Sequence, residues 1–273
     1  VEKSRTAAPS GFGELLRRWR ERRRLSQLDL ATDAEISTRH LSFIETGRAQ
    51  PSREMVLLLA RALDVPLRDR NDLLVSAGYA PIYRESGLGA PALAQARRAL
   101  DFILRQQEPY PALVLDRHWN VLQVNAGSAS FQRAFLDPKA VAELGAPNAM
   151  RLMFHPQALR PHIVNWEAAA ASLIQWLHRD VVSGFGGAQA RELLDELLAY
   201  PGVPRQWRTL DLDASQAPFL PIEFRKDDLA LRYFTTLTTL GTPHDITLQE
   251  LRIESFFPAD EATETLSRAL AGA

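Results

Sequence analysis

Residues 25–48 constrain this chain more than any other stretch. Leu25-Ser26-Gln27-Leu28-Asp29-Leu30-Ala31, then Ile36-Ser37-Thr38-Arg39-His40-Leu41-Ser42-Phe43-Ile44-Glu45-Thr46-Gly47-Arg48, reads as two short helices joined by a tight turn. Ser26 is placed to cap the first helix, with Asp29 three residues later approximating a capping box, and Ser37 is placed to cap the second. Leu28 and Leu30-Ala31 supply the buried side of the first helix, and Leu41 and Ile44 that of the second. Only Ala34-Glu35-Ile36 connects them, and Gly47 falls where the second helix must stop, because glycine accepts the left-handed conformation that ends helices. Pro51-Ser52 then opens a further helix with Met55, Val56, Leu59, Ala60 and Leu63 as its apolar face. The bland alternative is a small helical bundle that matches by chance. The sharper reading is a helix-turn-helix that reads DNA.

From Phe12 to Gly78 the chain resembles the Cro/repressor-like (XRE) family of five-helix DNA-binding domains. The Ser26-Gln27 pair, Ala31, the Leu41-Ser42 pair and the Glu45-Thr46-Gly47-Arg48 run followed by Pro51 carry the resemblance. One departure is Glu35, at a turn position where that family often has glycine. The resemblance implies that the second helix of the motif, beginning at Ser37, lies in the major groove with its first turn nearest the bases. Thr38 and Arg39 are then the expected base contacts, with Phe43 one turn later. An arginine paired with guanine discriminates by about 1–3 kcal/mol. Gln27 is expected on the DNA backbone or an adjacent base, and Ser42, Thr46, Arg48 and Arg53 on phosphates, where they set position and salt dependence. The family pattern also implies a partly buried ion pair between Arg20 and Glu45. One such unit contacts too few base pairs to find a single address in a genome, so a homodimer on a double-stranded operator is expected.

Charge adds a local signal. Residues 1–78 carry 14 Lys and Arg against 11 Asp and Glu, and the remaining residues 18 against 22. Arg17, Arg18, Arg20, Arg22, Arg23 and Arg24 crowd into eight positions, either as a solvated face or as a nucleic-acid contact. With 273 residues the chain has room for two cores. No apolar run approaches the ~20 residues that span a bilayer, no signal peptide is visible, and cysteine is absent. A cytoplasmic protein without disulfides, thiolate metal sites or membrane association is expected. Residues 1–10 read as a flexible tail, 11–79 as the helix-turn-helix domain, 80–91 as a linker, 92–266 as a second domain and 267–273 as a tail.

The second domain reads as α+β, so the chain as a whole is an all-α DNA-binding domain followed by an α+β domain. Residues 112–125 form two short strands around a polar turn at Arg117 to Asn120, and 166–180 and 187–200 are helical. Strand patterns return at 219–225, 229–240 and 247–255, with Asp227-Asp228 as a hairpin turn. This half resembles the PAS-like ligand-binding domain of MmyB-type transcription regulators. The hairpin ending in Asn125, the Asn148-to-Pro156 segment, Val164-Asn165-Trp166-Glu167 and the Leu251-to-Asp260 segment carry that resemblance. It implies a five-stranded antiparallel sheet cupping a pocket against helices.

The residues favour an apolar guest. Phe131, Phe135, Phe154, Trp166 and Tyr233 are candidate lining, beside Leu113, Leu115, Val124, Leu152, Met153, Leu173, Trp176, Phe224 and Phe234. Arg151, His155 and Asn165 are candidate anchors for a carboxylate or carbonyl. The structural alternatives are that Arg151 pairs with an acid, His155 caps a loop and Asn165 caps a helix. A fatty acid or similar amphiphile fits an apolar tunnel with a cationic end, and no other cofactor is assigned. No nucleophile elbow, phosphate loop or zinc helix is present, so neither catalytic nor metal residues are expected. A regulator whose pocket senses a hydrophobic small molecule is the first reading. A protein-interaction or dimerisation module without ligand is the second, and a phage-type or toxin–antitoxin repressor with a purely oligomerising domain is the third.

Overall fold

The computed structural model describes residues 11–183, 187–208, 221–241 and 243–272. The expected tail at 1–10, the glycine-rich loop at 184–186, the start of the expected strand at 219–220 and residue 273 lie outside the described residues. The chain divides into two compact units. The first takes the residues up to Gly87 together with a return segment that ends at Gln249, and the second takes the rest from Leu88.

The first unit holds five helices: α1 (Phe12–Arg22), α2 (Gln27–Asp33), α3 (Thr38–Glu45), α4 (Arg53–Ala62) and α5 (Leu67–Ser76). Their starts are written in local chemistry. Ser26 Oγ accepts from the Asp29 N–H at 3.1 Å while the Asp29 carboxylate accepts from the Ser26 N–H at 2.8 Å. Ser37 and Ser52 cap α3 and α4 in the same way through His40 and Met55. The ends share one device. Arg24, Glu35, Gly47, Asp64 and Gly78 each hold a positive φ, and the next N–H reaches back to the carbonyl five residues earlier, as from Leu25 to Arg20 and from Ile36 to Ala31. Leu25, Ile36 and Tyr79, which follow three of those turns, then pack on the core. Glu35 makes the turn between α2 and α3 at φ +53°, at a strain of about 1 kcal/mol for a side chain there. The core is Leu16, Leu30, Leu41, Ile44, Val56, Leu59 and Leu74, all essentially inaccessible.

In the second unit α6 (Ala94–Gln106) leads into β1 (Ala112–Leu115) and β2 (Val121–Val124). Then come α7 (Ala126–Phe135), α8 (Pro138–Glu143), α9 (Ala149–Phe154), α10 (Trp166–Ser183) and α11 (Gly187–Ala199). The unit closes with β3 (Ile222–Lys226), β4 (Leu229–Thr238), β5 (Arg252–Pro258) and α13 (Glu261–Ala271), while α12 (Ile246–Glu250), between β4 and β5, lies almost wholly in the return segment of the first unit. The five strands form one antiparallel sheet in the order β2-β1-β5-β4-β3, the α+β architecture expected. β5 sits at the centre, with Glu254 opposite Leu113 of β1 and Leu237 of β4. Opposed residues share a face of the sheet, so Leu113, Leu237 and Glu254 point the same way.

Two expectations need correcting. Residues 247–250, expected as the start of a strand, are helical, because the Asp245 carboxylate accepts from the Thr247 N–H at 2.9 Å and starts a turn. Residues 267–271, expected in a tail, belong to α13, whose buried Ser267 lies 2.6 Å from the Tyr233 hydroxyl.

Asn125 fastens the start of α7 to the hairpin. Its Oδ1 accepts from the Ala112 N–H at 2.9 Å and the Ser128 N–H at 2.8 Å, while its Nδ2 donates to the Tyr110 carbonyl at 2.8 Å and the Leu104 carbonyl at 3.3 Å. Beside it Gly127 lies against the backbone of Pro109 and Tyr110, and a Cβ there would come within 2.5 Å of the Pro109 oxygen. Only glycine permits that approach.

The return segment between β4 and β5 completes the first unit. The Ile246 N–H donates to the Arg84 carbonyl at 2.8 Å, and the Asp245 carboxylate accepts from the Ser86 N–H at 3.3 Å. Gln249 Oε1 accepts from the Leu67 N–H at 2.6 Å, at a helix start where Pro66 offers no side-chain cap. Part of the expected linker is held as well, since Asn71 bonds the Ile82 and Tyr83 backbone.

Candidate functional site

The exposed side of α3 gathers most of the side chains expected on DNA. Ser37 caps the helix, Thr38 and Arg39 open it, and Phe43 follows one turn on. The Arg39 guanidinium lies over the Phe43 ring at 5.3 Å and that of Arg48 at 6.0 Å, so the aromatic ring positions two exposed cations. The Thr46 hydroxyl donates to the Ser42 carbonyl at 2.7 Å. Arg53 is exposed at the start of α4.

Behind that face stands a braced core. Arg20 grips Glu45 through two bonds, Nε to Oε1 at 2.7 Å and Nη2 to Oε2 at 2.9 Å, and donates a third to the Leu25 carbonyl. Gln27 Nε2 donates to the same carboxylate at 2.8 Å, so α1, α2 and α3 meet on one acid. The hydrogen bonds that Arg20 donates to Glu45 raise the Arg20 pKa, against a smaller opposing effect of burial. Gln27, expected on DNA, therefore has one amide hydrogen already committed. The arginine run on α1 is likewise largely engaged within the fold. Arg17 pairs with Glu21, Arg18 with Glu14, and Arg23 with the carbonyls of Leu63 and Asp64.

The second unit holds a partly open cavity of about 110 Å³ between the sheet and helices α7, α9 and α10, several times the roughly 10–15 Å³ that one water requires. Leu113, Val121, Phe224 and Phe256 line it from the sheet, and Phe131, Leu152, Met153 and Leu173 from the helices. Trp119 closes one wall. It is 2% exposed and holds φ +67° at the β1–β2 turn, a rare conformation for a bulky side chain. The Arg252 guanidinium lies 4.7 Å from its ring centre. The Trp119 Nε1–H is buried and finds no partner among the described residues.

The expected ligand residues divide sharply. Phe131 lines the cavity. Phe135, Phe154 and Tyr233 do not, being packed into the surrounding core at 1%, 0% and 1% exposure. Trp166 stands off the wall, its Nε1–H donating to the Met153 carbonyl and its ring covered by Arg160 at 3.9 Å. The three expected anchors are committed elsewhere. Arg151 makes two 2.8 Å bonds to Glu196, which raise its pKa and lower that of the acid. His155 accepts from the Gln157 N–H and meets the Tyr200 ring edge-on. Asn165 bridges the Pro221 carbonyl and the Glu223 N–H. Arg151 thus pairs with an acid and His155 holds its own loop, while Asn165 ties its segment to the start of β3 rather than capping a helix.

Sequence reasoning missed the one ionisable side chain among those that line the cavity, Glu254. It is half-buried and lines the cavity. Burial pushes its pKa up to about 7, against a smaller opposing hydrogen bond from Thr235. An acid set between Ile253 and Phe256 in an apolar strand was the available signal.

A family profile described as "MmyB-like transcription regulator ligand binding domain" matches residues 96–270. The chain belongs to the MmyB-like transcription regulators. A second profile, "Helix-turn-helix domain", matches residues 12–73. This MmyB-like chain is thus a DNA-binding transcription regulator with a ligand-binding domain. No curated protein matches it. A solved structure described as an RNA-binding light-oxygen-voltage receptor aligns with 96% of this chain and 61% of its own, at 14% identity and a TM-score of 0.28, too loose a superposition to define a shared fold. The regulator therefore spans about 61% of that receptor's length. Among the described residues no helix is long and apolar enough to cross a membrane, and no group of three metal-ligating side chains occurs.

Glu254 gives this MmyB-like regulator a pH signature. Its carboxyl is more basic in the folded chain than its ordinary value of 4.5. The stability it permits is therefore complete below that value and lost as pH rises through about 7. The loss has a ceiling of about 3 kcal/mol. Urea titrations of the wild type and Glu254→Gln between pH 5 and 8 should show the wild type falling more steeply. Parallel curves would mean that water reaches the carboxyl freely.

Proposed function

We propose that α3 reads an operator through Thr38, Arg39 and Phe43, with Ser37 at the helix start and Gln27 beside it, while Ser42, Thr46, Arg48 and Arg53 hold phosphates. The observation that carries this reading is the pair of exposed guanidinium groups flanking Phe43 on a doubly capped helix braced from behind by Arg20. The regulator acts in the cytoplasm as a homodimer on paired half-sites, and it is not an enzyme. Its second unit binds a hydrophobic small molecule, and the apolar cavity supports that part. A fatty acid would find a fitting wall for its tail. The three expected anchors for its carboxylate, Arg151, His155 and Asn165, are engaged off the wall, and no cationic side chain is among the described residues that line it. The exposed Phe102, Leu122 and Val124 favour a second role for the same unit, in dimerisation. A ligand changes operator affinity only through unequal affinity for the binding-competent and incompetent states.

Two measurements test this reading. Operator sequences selected with the wild type should lose their preference at one base pair with Arg39→Ala, by about 1–3 kcal/mol of discrimination, while affinity for unrelated DNA changes little. Unchanged selectivity in a folded variant would remove Arg39 from the base contacts. Native mass spectrometry before and after denaturing extraction should reveal an apolar adduct whose return shifts operator affinity. A protein that carries none, and whose operator affinity ignores added apolar compounds, would favour the dimerising role alone.

A further inference from the structure

From the wall of the cavity we infer that its ligand is an apolar organic cation, an amine held by Glu254 within an aromatic surround. The inference rests on the reading that this cavity binds a small molecule. Four aromatic side chains line it, Trp119, Phe131, Phe224 and Phe256. Ring faces carry negative potential and attract ammonium groups, most strongly where water is excluded. Among the described residues lining the cavity, Glu254 is the one that ionises, and no lysine, arginine or histidine joins it. The nearest charges on its face of the sheet are Arg252, two residues back along β5, and its 2.8 Å partner Asp180 from α10. Neither lines the cavity. From β4 the Thr235 hydroxyl supports the carboxylate, and the residue opposite on β1 is Leu113.

A carboxyl in such surroundings costs free energy whenever it ionises alone. A cationic guest removes that cost by supplying the missing charge, and its hydrocarbon part covers the remaining wall. A carboxylate guest does the reverse. It brings a second negative charge to an acid that nothing on the wall neutralises, and at least one of the two must take up a proton.

The test uses the full chain and three probes that differ only in the head group: octylamine, octanol and octanoate. Calorimetry at pH 7.5 should find octylamine bound at least about tenfold more tightly than octanoate, the scale of one charge-assisted hydrogen bond. Glu254→Gln should weaken octylamine by about tenfold and leave octanol within about threefold. Should that variant fail to fold, the wild type alone still decides. Octylamine affinity should rise between pH 5.5 and pH 8 as Glu254 ionises, while octanol affinity stays level. If octanol or octanoate binds as tightly as octylamine, or if the amine ignores both the substitution and the pH, the cationic ligand is overturned and the cavity remains a site for neutral or acidic guests. If none of the three binds, the inference falls together with the small-molecule reading beneath it.

Discussion

Replacing Glu45 with alanine is expected to destabilise the first unit by about 3–5 kcal/mol, the cost of stripping one partner from a buried ion pair. The size follows from what the carboxylate holds. It takes both forks of Arg20 and the amide of Gln27, and the two charged side chains are only 10% and 3% exposed. Without it a guanidinium stays buried, donating to the Leu25 carbonyl. The loss reaches function because Glu45 is the last residue of α3. Its carbonyl and that of Ile44 also lie against Gly13 of α1, where a Cβ would come within 2.4 Å. The end of α3 is thus clamped to α1 from two sides. Chemical denaturation followed by Trp19, the tryptophan of this unit, measures the loss. Removing both charges together, as Arg20→Met with Glu45→Leu, should recover most of it, since a well-packed apolar pair often matches a buried ion pair. A single-variant loss below about 1 kcal/mol would class the pair with surface salt bridges.

Asn125→Ala should be about as severe in the second unit, at about 3–5 kcal/mol. It would leave the buried Ala112 and Ser128 N–H groups and the Tyr110 carbonyl without their partner, at about 1–3 kcal/mol for each group that water fails to reach. The side chain is 7% exposed, so little water arrives. Because it ties α7 to β1, the variant should also loosen the cavity, which α7 lines through Phe131 and Gln132. Unfolding followed by the tryptophans of the second unit reports the stability. A variant as stable as the wild type would show that Glu108, whose carboxylate accepts from the Ala126 and Gly127 N–H groups, suffices to seat α7.

How much of this was legible depended on range. The five-helix unit could be read because its signals are local: Ser26, Ser37 and Ser52 cap within three residues, and Gly47 ends its helix in place. The substitution of Glu35 for glycine did not mislead, because the backbone bonds that close the turn are indifferent to the side chain. The cavity was legible only as a class of residues. Arg151 reads as an anchor in the sequence, but Glu196, 45 residues away, takes it. Asn165 is claimed by backbone 56 and 58 residues further on. No spacing rule reaches that far. Glu254 was in plain view, but its meaning hangs on strand register. One position either way would send the carboxyl to the opposite face of the sheet.

The return segment ending at Gln249 bears on modularity. Regulators of this plan invite exchange, one DNA-reading head transplanted onto another sensing body at the junction near Gly87. Here the head is not a contiguous piece of text. A fragment cut at that junction would leave behind Asp245, which serves Ser86, and Gln249, which serves the first amide of α5. A chimera built by simple splicing would inherit a reading head with an unfinished fifth helix. The loop between β4 and β5 must travel with the head it completes.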